Sequence, residues 1–224
     1  MAARVGVIVF PGTNCELDVV HAVDALGGTG DLVWHGDPTV DGFDAIVVPG
    51  GFAHGDYLRT GAIARFSPVM DAVREFAAAG GPVIGICNGF QVLTEAGMLP
   101  GALQKNAGLK FRCETVTCRV ETDRSALTHG VVPGTELALP INHFEGNFTC
   151  DGETLARIRA NDQVVLRYVQ NPNGSTDDIA GVSNEAGNVV GLMPHPERAA
   201  EAILGSADGA VLLGALLTAA TTRV

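Results

Sequence analysis

A cysteine held between a buried strand and a helix constrains this chain more than any other feature. Residues 83–86, Val-Ile-Gly-Ile, are a short apolar run with β-branched side chains, which predicts a buried strand. Residues 88–95 predict a helix. Cys87 therefore falls on the sharp turn between them, with Gly85 two residues before it and Gly89 two after. That is the layout of a nucleophile elbow, with sulfur in place of a serine oxygen. The glycines have a mechanical purpose, because a side chain at either would collide with the packed strand and helix. The helix start aims its free N–H groups and positive dipole end at the sulfur, which favours thiolate over thiol. The competing reading is a small core residue, since free cysteine is often buried.

Around this turn the chain alternates strands and helices. Val5–Phe10 predicts a strand and Pro11-Gly12 turns it. Thr13-Asn14-Cys15-Glu16 has the form of a capping box for the helix carrying Val19, Val23 and Leu26. Asp31–Trp34 and Ala45–Val48 predict strands, the second ending in Pro49-Gly50-Gly51-Phe52. Ser67-Pro68 reads as an N-cap before a helix carrying Val69, Val73 and Phe76. The order β-α-β-β-α-β-α with apolar strands predicts an α/β fold with a mostly parallel, doubly wound sheet. Ligands of such sheets sit beyond the carboxyl ends of the strands, where Gly50-Gly51 and Cys87 both lie. Beyond Gly101 the strand candidates 111–121, 136–139, 164–169 and 179–184 alternate and are separated by turn clusters, so antiparallel strands are expected to join the parallel core. Another strand, 188–193, delivers Pro194-His195-Pro196-Glu197, and a closing helix covers 208–221. No linker or repeat divides the 224 residues, so one domain, 1–224, is expected.

Composition excludes some functions. The net charge is −11, with the charges scattered, so nucleic acid and anionic membrane are poor partners. The apolar runs are too short for a membrane span and the first residues do not read as a secretory signal, so a cytoplasmic protein is expected. Five cysteines without a C-x-x-C pair make a disulfide framework or zinc site unexpected, and no metal is assigned. Cys113 and Cys118 read as residues of one strand. No nucleotide-binding glycine motif is present.

A cysteine nucleophile needs a base, and the base needs an orienting group. Pro196 favours extended backbone at His195, which sets His195 and Glu197 on one side. Glu197 can then hold one imidazole nitrogen while the other faces Cys87. The remaining histidines lack a carboxylate at fixed spacing, although His54 and His143 could line a site.

These segments resemble the class I glutamine amidotransferases, a flavodoxin-like family whose triad matches Gly85-Ile86-Cys87-Asn88-Gly89 with Pro194-His195-Pro196-Glu197. Residues 10–15, 49–52, 55–59, 87–91, 171–175 and 193–198 bring the resemblance closer to one branch, the glutaminase subunits of phosphoribosylformylglycinamidine synthases. The resemblance implies catalytic roles for Cys87, His195 and Glu197. It implies an oxyanion hole from the N–H groups of Gly51 and Asn88, and substrate contact by Gln91. Glutamine would be hydrolysed to glutamate and ammonia through a cysteinyl thioester, and ammonia would pass to a synthetase subunit that uses ATP and Mg in purine synthesis. No cofactor is implied in this chain itself, and a small third subunit is implied in the complex. This chain departs from the family at Asn142-His143-Phe144 and at His54. Two further expectations attach to the loop after Gly50: that the glycine pair rotates its peptide plane at little cost, so a partner could switch the hole on, and that Asp56, Tyr57 and Arg59 serve an interface. The rival reading is a cysteine hydrolase on a similar sheet, or another amidotransferase's glutaminase.

Overall fold

The first strand, β1 (Arg4–Val9), buries residues 5–8 without interruption, as a strand covered on both faces must. The computed structural model describes residues 2–222. After β1 come α1 (Glu16–Ala25), β2 (Thr29–Trp34), β3 (Ala45–Val48), α2 (Val69–Ala78), β4 (Val83–Ile86) and α3 (Asn88–Glu95). The expected order holds to this point. Then follow β5 (Ala102–Gln104), β6 (Arg112–Val120), β7 (Glu136–His143), β8 (Asn147–Thr149), α4 (Gly152–Ala160), β9 (Val164–Tyr168), β10 (Ile179–Ser183), β11 (Val189–Leu192) and α5 (Gly209–Thr222).

Nine strands form one sheet in the order β2-β1-β3-β4-β11-β10-β9-β6-β7. The first five are parallel and the rest join antiparallel. The expected α/β fold with appended antiparallel strands is therefore the one formed. β11, the last strand, inserts beside β4, so Ile86 pairs with Leu192 and the Cys87 N–H donates to the Leu192 carbonyl at 2.8 Å. This register brings the ends of two strands distant in sequence side by side.

Several local expectations fail. Thr13 does not cap α1. Its hydroxyl accepts from the Phe10 N–H at 3.0 Å, and Cys15 occupies the cap position without a side-chain cap bond. The Thr hydroxyl closes the preceding turn and is no longer free for the helix. Ser67 does not cap α2 with its side chain either. Its carbonyl accepts from Met70 N–H, and its hydroxyl lies 3.3 Å from His35 Nδ1. β7 runs on to His143, four residues further than expected, through Pro140. A proline is tolerated there because β7 is the sheet edge, where its missing N–H breaks no ladder. The Pro140 carbonyl instead accepts the His195 N–H at 2.8 Å. Helix α4 was not foreseen. Ile158 is its one fully buried side chain, so it shows little periodicity, but Asp151 caps it by accepting from Thr154 N–H at 2.7 Å.

Candidate active site

Cys87 adopts φ 51°, ψ −105°, a strained backbone for a residue with a side chain. The surroundings enforce it. A Cβ on Gly89 would lie 1.8 Å from the Val48 carbonyl oxygen, and one on Gly85 would lie 2.6 Å from Leu93 Cδ1 and 2.7 Å from the Gly89 carbonyl. The elbow expected from sequence is thus present, and close packing explains both glycines. The Cys87 thiol lies at the mouth of α3, 3.7 Å from the Asn142 carbonyl oxygen.

His195 and Glu197 lie in the same site and are buried, 1% and 2% exposed. Their atoms Nδ1 and Oε1 are 2.6 Å apart. An ionised carboxylate only accepts, so Nδ1 carries the proton and the other nitrogen faces elsewhere. Nε2 is buried without a partner, as is Glu197 Oε2. Burial opposes protonation of His195, but the charge of Glu197 and the nearby Cys87 and Cys15 sulfurs outweigh it and hold His195 well above its ordinary value. The carboxylate thus prepares the ring to hold a proton beside a sulfur.

Gly51 lines the same cavity as Cys87, and Asn88 follows Cys87 in the chain. Neither N–H donates to a backbone carbonyl. Gly51 has φ 147°, and a Cβ there would meet Thr13 Cα at 2.7 Å. The Gly50 carbonyl accepts from Asn14 N–H at 3.4 Å and Cys15 N–H at 3.2 Å. Both bonds oppose the easy rotation expected of the glycine pair. Asn88 is buried, and its side chain ties the site together. Its Oδ1 accepts from Ala53 N–H at 2.9 Å, and its Nδ2 donates to Asp56 Oδ1 at 3.0 Å and Gln91 Oε1 at 2.8 Å. Gln91 lines the cavity, but its Nε2 donates to the Glu145 carbonyl, so both of its ends are held by protein.

A cavity of about 460 Å³ opens onto Cys87 and His195. Sequence reasoning missed three residues there, Cys15, Asp56 and Glu145, whereas His143, which it noted as able to line a site, does so. Cys15 was read as part of a cap. Its thiol lies beside the dyad, accepting from Arg198 Nη2 at 3.1 Å and donating to Asn14 Oδ1 at 3.2 Å. Its Sγ, a His195 ring nitrogen and a Glu197 oxygen all lie within 4.8 Å of one another. Asp56 was assigned to an interface. The structure turns it inward, where burial and the charge of Glu145 push its pKa up to about 6 against the Asn88 hydrogen bond. Arg59 is likewise occupied, forked onto Glu95 at 2.7 Å through two nitrogens. Tyr57 and Leu58 remain exposed, at 72% and 82%. His54 is set apart, ring to ring with His35 at 5.2 Å.

The CobB/CobQ-like glutamine amidotransferase domain matches residues 2–208. The chain belongs to the glutamine amidotransferase family. Among curated relatives of this amidotransferase, the phosphoribosylformylglycinamidine synthase subunit PurQ of Rubrobacter xylanophilus is 55% identical over 97% of the chain and 99% of the relative. The PurQ subunit of Lacticaseibacillus casei is 59% identical over 92% of the chain and 91% of the relative. A solved structure, PurLQS from Thermotoga maritima, superposes with a TM-score of 0.90 at 41% identity, covering 97% of this chain and 99% of that one. No helix among the described residues is long and apolar enough to cross a membrane.

Proposed function

We propose that this amidotransferase is the glutaminase subunit of a phosphoribosylformylglycinamidine synthase, with Cys87, His195 and Glu197 as its catalytic residues. The observation that carries the assignment is the buried His195–Glu197 pair sharing one cavity with a cysteine on a strained elbow. Cys87 Sγ attacks the side-chain carbonyl of glutamine. The N–H groups of Gly51 and Asn88 receive the developing oxyanion, which is usually the largest electrostatic contribution. His195 holds the proton given up by Cys87 and passes it to the departing nitrogen, so ammonia leaves and a thioester remains. Water, deprotonated by the same imidazole, then releases glutamate. Glu197 fixes the ring and stabilises its positive state. Gln91 positions Asn88 and the segment of Glu145.

The ammonia serves a synthetase subunit, which supplies the ATP and Mg chemistry, in a complex that includes a small third subunit. A partner covering the cavity fits the exposed apolar rim of Phe52, Leu58 and Phe111, each at least half exposed and each lining the opening. A cytoplasmic location follows from that pathway role.

Two cysteines lie near His195, so the choice between them needs a test. Cys15 is committed on both sides to Arg198 and Asn14, whereas Cys87 has one long contact. A glutamine-like diazoketone should label Cys87 alone, as read by peptide mass mapping. Labelling of Cys15, or of neither, would remove Cys87 from the mechanism. Glu197→Gln keeps the shape and removes the charge, and should lower glutamine turnover by about 10²–10³ with KM little changed. An unchanged kcat would move the orienting role elsewhere.

Asp56 and Glu145 are the acidic side chains of the cavity wall, and glutamine enters with an α-ammonium group. Asp56→Asn should raise KM for glutamine about tenfold and leave kcat nearly intact. Because its pKa is about 6, the wild-type KM should rise as pH falls through 6, when Asp56 becomes neutral. A KM that is flat from pH 5 to 8 would contradict this.

A further inference from the structure

The buried network around Asn106 fixes the tautomer of His143. Asn106 Nδ2 donates to the carbonyls of Lys110 at 2.9 Å and His143 at 3.0 Å, so both of its hydrogens are used. Its Oδ1 can then only accept, and it does so from the Gly146 N–H at 3.1 Å. His143 Nδ1 lies 3.1 Å from that same oxygen and must be the protonated nitrogen. Burial, then the neighbouring charge of His195, push the His143 pKa down to about 4, so the ring stays neutral. A neutral ring protonated at Nδ1 leaves a bare lone pair on Nε2. That atom is buried and has no partner. The ring lines the catalytic cavity and is 3% exposed. It lies flush against Gly146, where any Cβ would approach it to 2.3 Å.

A fixed, buried, unpaired acceptor loses free energy until a donor arrives. We infer that His143 Nε2 accepts an N–H of the carboxamide that Cys87 cleaves, making His143 a specificity-determining residue for the amide. This rests on the glutaminase reading. The carbonyl oxygen of the preceding residue, Asn142, lies 3.7 Å from Cys87 Sγ, and His143 lines the same cavity as Cys87 and His195, which places His143 near the reacting end. At that end glutamine offers one kind of hydrogen, on its amide nitrogen. The product glutamate offers none there and turns an oxygen lone pair toward a nitrogen lone pair. The same atom thus favours substrate and expels product.

The test compares glutamine with γ-glutamyl methyl ester, which has no N–H at the scissile bond, in the assembled complex. His143→Asn keeps a donor where Nδ1 stands and removes Nε2. It should lower kcat/KM for glutamine about tenfold or more while leaving ester hydrolysis nearly unchanged. His143→Phe keeps the ring and loses both nitrogens, and should shift the amide-to-ester ratio the same way. His143→Gln, which returns an acceptor near the Nε2 position, should recover part of the ratio. Glutamate should inhibit the Asn variant at lower concentration than the wild type. Parallel loss of amide and ester activity in both the Asn and Phe variants, with glutamate inhibition unmoved, would overturn the proposal. Turnover of either substrate that survives Cys87→Ala would instead overturn the glutaminase reading, and this proposal with it.

Discussion

Cys87→Ala should abolish glutamine-dependent synthesis in the assembled complex while synthesis from added ammonia continues. Loss of a nucleophile that acts as one unit with its base removes on the order of 10⁶ in rate. Nothing else in the cavity can replace it. The second sulfur, Cys15, is engaged by Arg198 and Asn14. The alanine side chain is smaller than the thiol and leaves the strained backbone in place, so docking to a synthetase should survive. Ammonia supplied from solution bypasses the glutaminase step. The assay is therefore paired: product formation with glutamine, and with an ammonium salt, in one preparation. If glutamine use persists at even a hundredth of the wild-type rate, Cys87 is not the nucleophile. If both activities vanish together, the substitution has damaged assembly.

Gly89→Ala should have the largest effect on stability. The added Cβ would fall 1.8 Å from the Val48 oxygen and 2.6 Å from the Val48 carbonyl carbon. Neither can yield cheaply, because β3 lies inside the sheet, paired to both β1 and β4. Ordinary overpacking costs about 1–3 kcal/mol, where flexible side chains can move aside. Here the obstacle is backbone, so a loss of about 4 kcal/mol or more is expected. In a chain of this size that lowers the melting temperature by roughly 10 °C or more. Gly214→Ala provides the control. It lies in α5 with no neighbour within 4 Å of its missing Cβ, and should raise stability by about 0.5–1 kcal/mol. Thermal melts of the two variants should move in opposite directions. A Gly89→Ala protein that melts with the wild type would show that the elbow does not need glycine there.

The features read correctly from sequence were those with local physical signatures. A β-branched run next to a glycine-flanked cysteine has few uses besides a buried strand and a tight turn. His195 and Glu197 do pair, but not through the extended backbone expected: a 3-10 helix starts at Pro196 and its first turn carries Glu197 back onto the ring. Asp56 was misassigned because nothing local reveals that the loop after Gly51 folds inward. That depends on Asn88, which lies on a different element. Cys15 was hidden by a plausible cap, since Thr13 and Glu16 have the right spacing and only the turn at Phe10 decides where the hydroxyl goes. The acceptor on His143 could not be seen at all without Asn106, because its chemistry is set by another residue's hydrogen-bond count. The short strands β5 and β8, three residues each, are below the length at which alternation carries information.

The insertion of β11 beside β4 has a consequence for how the protein is made. Cys87 is synthesised early, but its base arrives just after the last strand, where its backbone N–H donates to the Pro140 carbonyl of an edge strand and its ring is held by Glu197. A nascent chain that has emerged only as far as α3 carries the thiol but lacks both β11, which completes the parallel half of the sheet, and the His195–Glu197 pair that follows it. Hydrolytic competence appears only when the C-terminal segment docks.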